Sequence, residues 1–269
     1  MERLIGKAAI VVGATADGNM GQAIAKRFVA EGARVVVAGR RELQLEQFAE
    51  EIGATPIVCD LTKKADVFSL ARRAAETMGH IDVAVNSTGI ALGGPFVEFP
   101  EDLLDRLIAL QFKGSFFFFQ AMVAIMKAPA SIIQLSSFIA QPSGTVEEFE
   151  GYAATKAAID QVVRAVANSV GGRGIRVNTI AAGHTRTPMT RDITSPWDET
   201  AMIENYPLGR FGHCQDVAAA AVWLASDECF TTGDTLQING GLQLRRNPLT
   251  RDFERHKKEY LAAHGSSKS

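Results

Sequence analysis

Three observations predict an α/β fold in which a parallel sheet carries helices on both faces. Short β-branched runs alternate with longer helical stretches along nearly the whole chain, most of those runs are apolar at every position, and a glycine-bearing turn joins the first run to the first helix. Parallel strands need long crossovers and, when covered on both faces, lose the alternation of a half-exposed strand. In chain order, AAIVV leads through the glycine turn to a helix near Gly21 with apolar Ile24, Phe28 and Val29, and ARVVVAG leads to a helix near Glu42. TPIVCD precedes a helix near Lys64, IDVAVNSTG one near Asp102, SIIQLSS one near Tyr152, IRVNTIAAG one near Asp216, and TLQING closes the series.

These elements describe a doubly wound, Rossmann-type sheet, mostly parallel and seven-stranded, as one unit over residues 1–242. Residues 243–269 form a charged tail in which Leu249, Phe253 and Tyr260 make a narrow apolar stripe on a short, peripheral docking helix, and whose small-polar end is expected to fray. A chain of 269 residues suffices for one large α/β domain.

A formal charge of −2 gives no footprint for nucleic acid. Cys59, Cys214 and Cys229 have neither metal-ligand nor redox spacing, so buried thiols in a reducing compartment are expected and no metal is. LIGKAAIVV, broken by Lys7, reads as a strand and not a signal peptide, and no apolar run, Phe116–Phe119 included, approaches a membrane span; the expected location is cytoplasmic.

In such a sheet ligands sit beyond the carboxyl ends of the strands. Gly13 follows the first strand directly, and Met20-Gly21 opens the first helix, where free N–H groups and the dipole suit a pyrophosphate. Gly13, Gly18 and Gly21 fit no standard spacing, and Asp17-Gly18 is equally good chemistry for an ordinary turn. The sharper signal is GYAATKAAIDQVV. Tyr152 and Lys156 stand one helical turn apart, and a positive neighbour is expected to lower a phenol's pKa toward the range of an acid-base catalyst. Ser136 and Ser137 end a strand at the ligand edge, where a hydroxyl can hold a substrate oxygen.

With these motifs in hand, the chain resembles the short-chain dehydrogenase/reductase family over roughly Gly6 to Leu242. The resemblance rests on the glycine loop, Asp60-Leu61, Asn86-Ser87-Thr88-Gly89, Ser137, Tyr152-x-x-x-Lys156, Asn178 through Gly183, PLGRFG and the segment ending at Gly241. It implies hydride transfer between a nicotinamide cofactor and a ketone or secondary alcohol, with Tyr152 as proton donor, Lys156 on the nicotinamide ribose and Ser137 on the reacting oxygen. It further implies adenine at Asp60, the adenosine ribose beside Asn86, the carboxamide near Thr187, and a homotetramer or homodimer.

The chain departs from the family pattern in places. Gly13 to Gly21 is two residues longer than usual, nearer the enoyl reductase branch, yet that branch spaces its Tyr and Lys more widely. Gln111 stands where an asparagine often serves proton relay, so the relay either survives with altered geometry or is lost. The interval from Ser137 to Tyr152 is about two residues longer, with VEEFEG before the tyrosine. Gly39 occupies the place of an NAD-selecting acid and Arg40 follows at once, placed for a 2′-phosphate; NADP(H) is the preferred cofactor, NAD(H) the other possibility, and the competing reading makes Arg40 and Arg41 surface charges. For the substrate, Trp197, Met202 and Tyr206 are candidates for an apolar lid and Leu92, Phe96, Phe138 and Phe149 for the opposite wall, core packing being the alternative for each. Enoyl-thioester reduction and a non-catalytic dinucleotide-binding regulator are the competing functions.

Overall fold

The computed structural model describes residues 2–144, 146–187, 189–190 and 195–264. Seven strands form one sheet: β1 (Ala8–Val12), β2 (Arg34–Gly39), β3 (Thr55–Val58), β4 (Val83–Asn86), β5 (Ala130–Ser137), β6 (Ile175–Ala182) and β7 (Thr235–Ile238). Their order is β3-β2-β1-β4-β5-β6-β7, and all six pairings are parallel. The helices are α1 (Met20–Ala30), α2 (Glu42–Ile52), α3 (Lys64–Met78), α4 (Glu101–Leu107), α5 (Ser115–Ile125), α6 (Glu150–Val170), α7 (Pro196–Ile203), α8 (Cys214–Ala225) and α9 (Thr250–His264).

The all-apolar strands are explained by two cores. Ala8, Ile10 and Val12 of β1 join Leu70, Phe118 and Val163 on the face of α3, α5 and α6. Ala9 and Val11 turn to the other face, against Phe28, Leu45 and Leu224 of α1, α2 and α8. Successive side chains of a strand point to opposite faces, so every position of a central strand is buried.

Helices α4 and α5 are joined by a π-helical segment, Ile108–Gly114, into one run of 25 residues, Glu101–Ile125, in which an 18-residue stretch reaches a mean hydropathy of 1.5. By length and composition alone this run is long and apolar enough for a membrane span, a length the sequence reading did not anticipate. Gln111 and Lys113 interrupt the apolar sequence, but the helix continues through them. In the fold its Phe118, Phe119 and Met122 fill the first core.

Helix α7 was not expected from the sequence. Its signal is Ser195, whose hydroxyl accepts from the Asp198 amide, with a proline at the first helical position. The tail helix α9 lies on α7: the Trp197 and Tyr260 rings are 5.4 Å apart, and Glu204 takes Arg255 at 2.7 Å and His256 at 2.8 Å. The end of the tail expected to fray lies outside the described residues.

Candidate active site

Because all strands are parallel, Val12, Gly39, Asn86, Ser137 and Ala182 end on one edge of the sheet. Between β1 and β4 the winding reverses direction, which opens a crevice at that edge. A cleft occupies it, walled by Gly13, Met20, Arg40, Leu61, Gly89 and Thr187, among others.

The glycine loop is held shut by its own side chains. Asn19 caps α1: its carbonyl accepts from the Gln22 amide at 2.9 Å and its Nδ2 donates to the Gly13 carbonyl at 2.7 Å. Gln22 in turn accepts from the Gly18 amide at 3.0 Å. A Cβ on Gly21 would lie 2.5 Å from both the Gly13 carbonyl oxygen and Ser87 Oγ, so this glycine permits close approach of helix and strand. Gly18 plays a different part from the one expected. With φ +70° and open space around it, it is a turn glycine on the exposed side of the loop, and it does not line the cleft. The added residues of the lengthened loop therefore form an outward turn and leave the step from Gly13 to Gly21 compact. Asn19 and Gln22, which the motif reading missed, were legible as an N-cap three residues before a glutamine.

Beyond the end of β2 Arg40 lines the cleft and is exposed. Gly39 abuts Thr15, whose methyl would lie 2.4 Å from a Cβ there, so an acidic side chain at residue 39 has no room while Thr15 stays in place. Cys59 and Leu61 form the wall beside it, whereas Asp60 turns Oδ1 to the Thr62 hydroxyl (2.8 Å) and amide (3.0 Å). Burial pushes the Asp60 carboxyl up, but those two bonds and the charges of Arg40 and Lys63 outweigh it and leave the pKa lowered.

Asn86 requires a correction. It is fully buried, its Nδ2 donates to Ser115 Oγ and Gln134 Oε1, and its Oδ1 accepts from the Thr88 amide and hydroxyl. With the amide fully engaged, Asn86 braces the floor, and the residues that face the cleft are Ser87, Thr88 and Gly89.

The catalytic candidates converge at the end of β5 and the first turns of α6. The Ser137 hydroxyl is hydrogen-bonded to the Tyr152 phenol. Lys156 Nζ donates to the Leu135 carbonyl at 3.0 Å and lies 5.9 Å from the centre of the Tyr152 ring. The expected lowering of the phenol is not found. Burial raises the Tyr152 pKa, the Ser137 bond opposes this, and the ammonium is turned toward β5. Lys156 itself is pushed down by burial to about 8, the Asp160 carboxylate opposing.

Gln111 sits on the π-helical segment, a local widening frequent at functional sites. Its Nε2 donates to Thr155 Oγ1 at 2.8 Å, and Thr155 is fixed by bonds to the carbonyls of Gly151 and Tyr152. That leaves Gln111 Oε1 buried and without a partner among the described residues. A Cβ on Gly89 would lie 3.4 Å from this oxygen and 3.5 Å from Lys156 Nζ, so the two atoms flank the same glycine at the cleft floor.

The aromatic residues divide between wall and core. Phe149 meets Tyr152 edge-on at 6.4 Å, beside the phenol. Phe138, Tyr206, Phe211 and Leu242 form a small buried cluster, so Phe138 and Tyr206 are packing residues and not substrate wall. Tyr206 accepts from the His184 amide at 2.7 Å and fixes the backbone just after β6. His184, against the Phe211 ring at 4.4 Å, is pushed down to about 4 by burial and by Arg186, and is neutral at pH 7. Trp197 packs on α9. Parts of the segment after Thr187, residues 188 and 191–194, lie outside the described residues. Among the described residues, no three His, Cys, Asp or Glu side chains gather as a metal would require.

A family model described as "Enoyl-(Acyl carrier protein) reductase" matches residues 13–243. The chain is 33% identical over 251 residues to a 3-oxoacyl-[acyl-carrier-protein] reductase of Thermotoga maritima, covering 89% of this chain and 99% of the relative. It is 34% identical over 252 residues to a galactitol 2-dehydrogenase (L-tagatose-forming) of Cereibacter sphaeroides, covering 89% and 96%. Among solved structures, a short-chain type dehydrogenase/reductase from Mycobacterium ulcerans superposes with a TM-score of 0.87 at 26% identity, covering 91% of this chain and 92% of that one.

Proposed function

The chain belongs to the short-chain dehydrogenase/reductase family, a family of nicotinamide-dependent oxidoreductases, and on that premise we propose that it is an NADP(H)-preferring carbonyl reductase or alcohol dehydrogenase with Tyr152 as its acid-base group. The observation that carries this reading is the pairing of the Ser137 hydroxyl with the Tyr152 phenol, one helical turn from a buried Lys156 whose ammonium lies against Gly89 of the cleft built on the glycine loop.

The residues present fit a dinucleotide. Asn19 and Gln22 hold the loop compact beside the cleft, where the α1 N-terminus favours a pyrophosphate. Arg40 supports a 2′-phosphate, and the collision that Thr15 imposes at residue 39 argues against the acidic side chain that prefers a free 2′-hydroxyl. Thr187 and Gly89 line the inner end, where the nicotinamide belongs. The bound cofactor supplies or accepts the hydride.

Everything else falls to the chain. Ser137 orients the substrate oxygen, and Tyr152 hands it a proton in reduction or removes one in oxidation. Lys156, protonated below about pH 8, holds the ribose hydroxyls and steadies the phenolate as it forms. Burial, by keeping the phenol protonated at rest, suits the reductive direction. Gln111 Oε1 is placed to accept from a group bridging to Lys156 and so to relay the proton inward.

The three free, buried cysteines accord with work in the cytoplasm, and the family resemblance favours a homodimer or homotetramer. The test is a panel of ketones, secondary alcohols and an enoyl thioester, followed by NADPH and NADH absorbance. Ketone-dependent NADPH oxidation that falls about 10²–10⁴-fold in Tyr152→Phe, with dinucleotide binding retained, is the expected result. Turnover of the enoyl thioester alone, or full activity in Tyr152→Phe, overturns it.

A further inference from the structure

Two charged side chains interrupt the buried face of α6. Lys156 is 4% exposed and, one turn later, Asp160 is 2% exposed. Lys156 has a part in the proposed reaction and Asp160 has none. Neither carboxylate oxygen of Asp160 closes a normal hydrogen bond with a described protein group, and neither does the hydroxyl of Ser136, 5% exposed on β5. A buried carboxyl without partners is strongly disfavoured unless a nearby charge compensates it. One turn earlier on the same face lies the Lys156 ammonium, beyond direct ion-pair contact but near enough to act on the carboxylate.

We propose that Asp160 is a positioning residue whose carboxylate is the counter-charge that keeps the buried Lys156 protonated, with the Ser136 hydroxyl steadying the carboxylate from β5. For its catalytic consequence this rests on the reading of Lys156 given above, while the charge pair itself is a property of the cofactor-free protein.

The surroundings leave few other charges to do this. On α6 itself only Arg164 acts on Asp160 besides Lys156, and Arg164 is exposed and donates to Gln161. Strand β5 carries no ionisable group, and the only charge on β6, Arg176, is bound at the far end to the carbonyls of Leu224 and Ser226. Lys113 of the π-helical segment and the acidic and basic residues of α4 are exposed, and Arg173 beyond α6 donates to the Val123 carbonyl. Burial pushes the Asp160 carboxyl up to about 6, with Ser136, Lys156 and Arg164 opposing. With Lys156 at about 8, both groups are charged between those values. Below the window Lys156 loses its counter-charge, and above it the lysine loses its own.

The experiment is a carbon-13 titration of the lysine Cε resonances in the cofactor-free protein, the Lys156 signal being identified by its loss in Lys156→Arg. In Asp160→Asn the Lys156 midpoint falls by about one pH unit, the size of shift a nearby opposite charge produces. The pH above which NADPH binding weakens falls with it, and Asp160→Glu stays near the wild type in both. An unmoved midpoint in a folded Asp160→Asn overturns the proposal. Should that variant not fold, Ser136→Ala decides. In the wild type the Lys156 signal carries a second inflection near pH 6 from Asp160, which moves upward without the hydroxyl. A missing or unmoved inflection overturns the proposal. A shifted midpoint in a protein that turns over no ketone supports the pair while removing the oxidoreductase reading, and an unmoved midpoint in an active enzyme removes the pair alone.

Discussion

Gly21→Ala tests whether the lengthened glycine loop grips a phosphate or is only a turn. The new methyl would lie 2.5 Å from the Gly13 carbonyl oxygen and from Ser87 Oγ, about 0.9 Å short of the 3.4 Å at which ordinary contact begins. Neither atom yields easily. The Gly13 carbonyl is held by Asn19 Nδ2 at 2.7 Å, and Ser87 Oγ donates to the Val12 carbonyl at 2.7 Å. The free protein therefore relaxes by moving the start of α1 away from β1, and binding a pyrophosphate in the wild-type geometry must restore the collision. Overpacking of this kind costs roughly 1–3 kcal/mol. Charged to binding, that is about a five- to 150-fold loss of dinucleotide affinity, measured by calorimetric titration with NADPH. Gly18→Ala is the control. It has open space and only the penalty of a left-handed backbone, roughly 1–2 kcal/mol, which acts on stability and not on the cleft. Gly21→Ala binding NADPH as tightly as the wild type, with Gly18→Ala impaired, refutes the reasoning.

Three further outcomes are expected. Arg40→Ala weakens NADPH by about 1–2 kcal/mol while leaving NADH nearly unchanged, the loss of one charge-assisted contact; equal losses in the two affinities remove Arg40 as selector. Because Lys156 is held at about 8 against an ordinary 10.5, the unfolded chain binds more protons than the folded one between those values, so this group makes stability rise with pH across that window. Melting temperatures over the same range show that rise in the wild type and lose it in Lys156→Met. Glu204→Gln removes the carboxylate shared by Arg255 and His256, so hydrogen exchange in α9 accelerates and the KM for substrate rises without a change in dinucleotide affinity.

Local rules made most of the fold readable. β-branched runs gave all seven strands, and α1 and α8 begin at Met20 and Cys214, within two residues of where apolar spacing put them at Gly21 and Asp216. Tyr152 and Lys156 were legible because one helical turn joins them, and Ser137 because it ends a strand at the ligand edge. What stayed hidden depends on contacts between distant segments. Nothing near Asn86 in sequence announces Ser115 and Gln134, which engage its amide. Phe138 looked like a pocket wall until Tyr206 and Phe211 closed over it. The upward direction of the Tyr152 shift comes from burial of the phenol by distant segments, and the Lys156 ammonium that was expected to oppose it is held by a carbonyl of β5, outside the helix that carries both.

The tie between α9 and α7 bears on how the protein is handled. Arg3, near the other terminus, bonds Glu31 at the opposite rim of the sheet, where β1 begins. A purification handle fused to the front of the chain therefore leaves from the side remote from the cleft. One fused to the back hangs from the helix that holds Trp197 and Glu204, and its bulk is felt by the segment after β6. Kinetic work on the two fusions will differ for that reason, and the front-tagged or untagged protein is the proper reference.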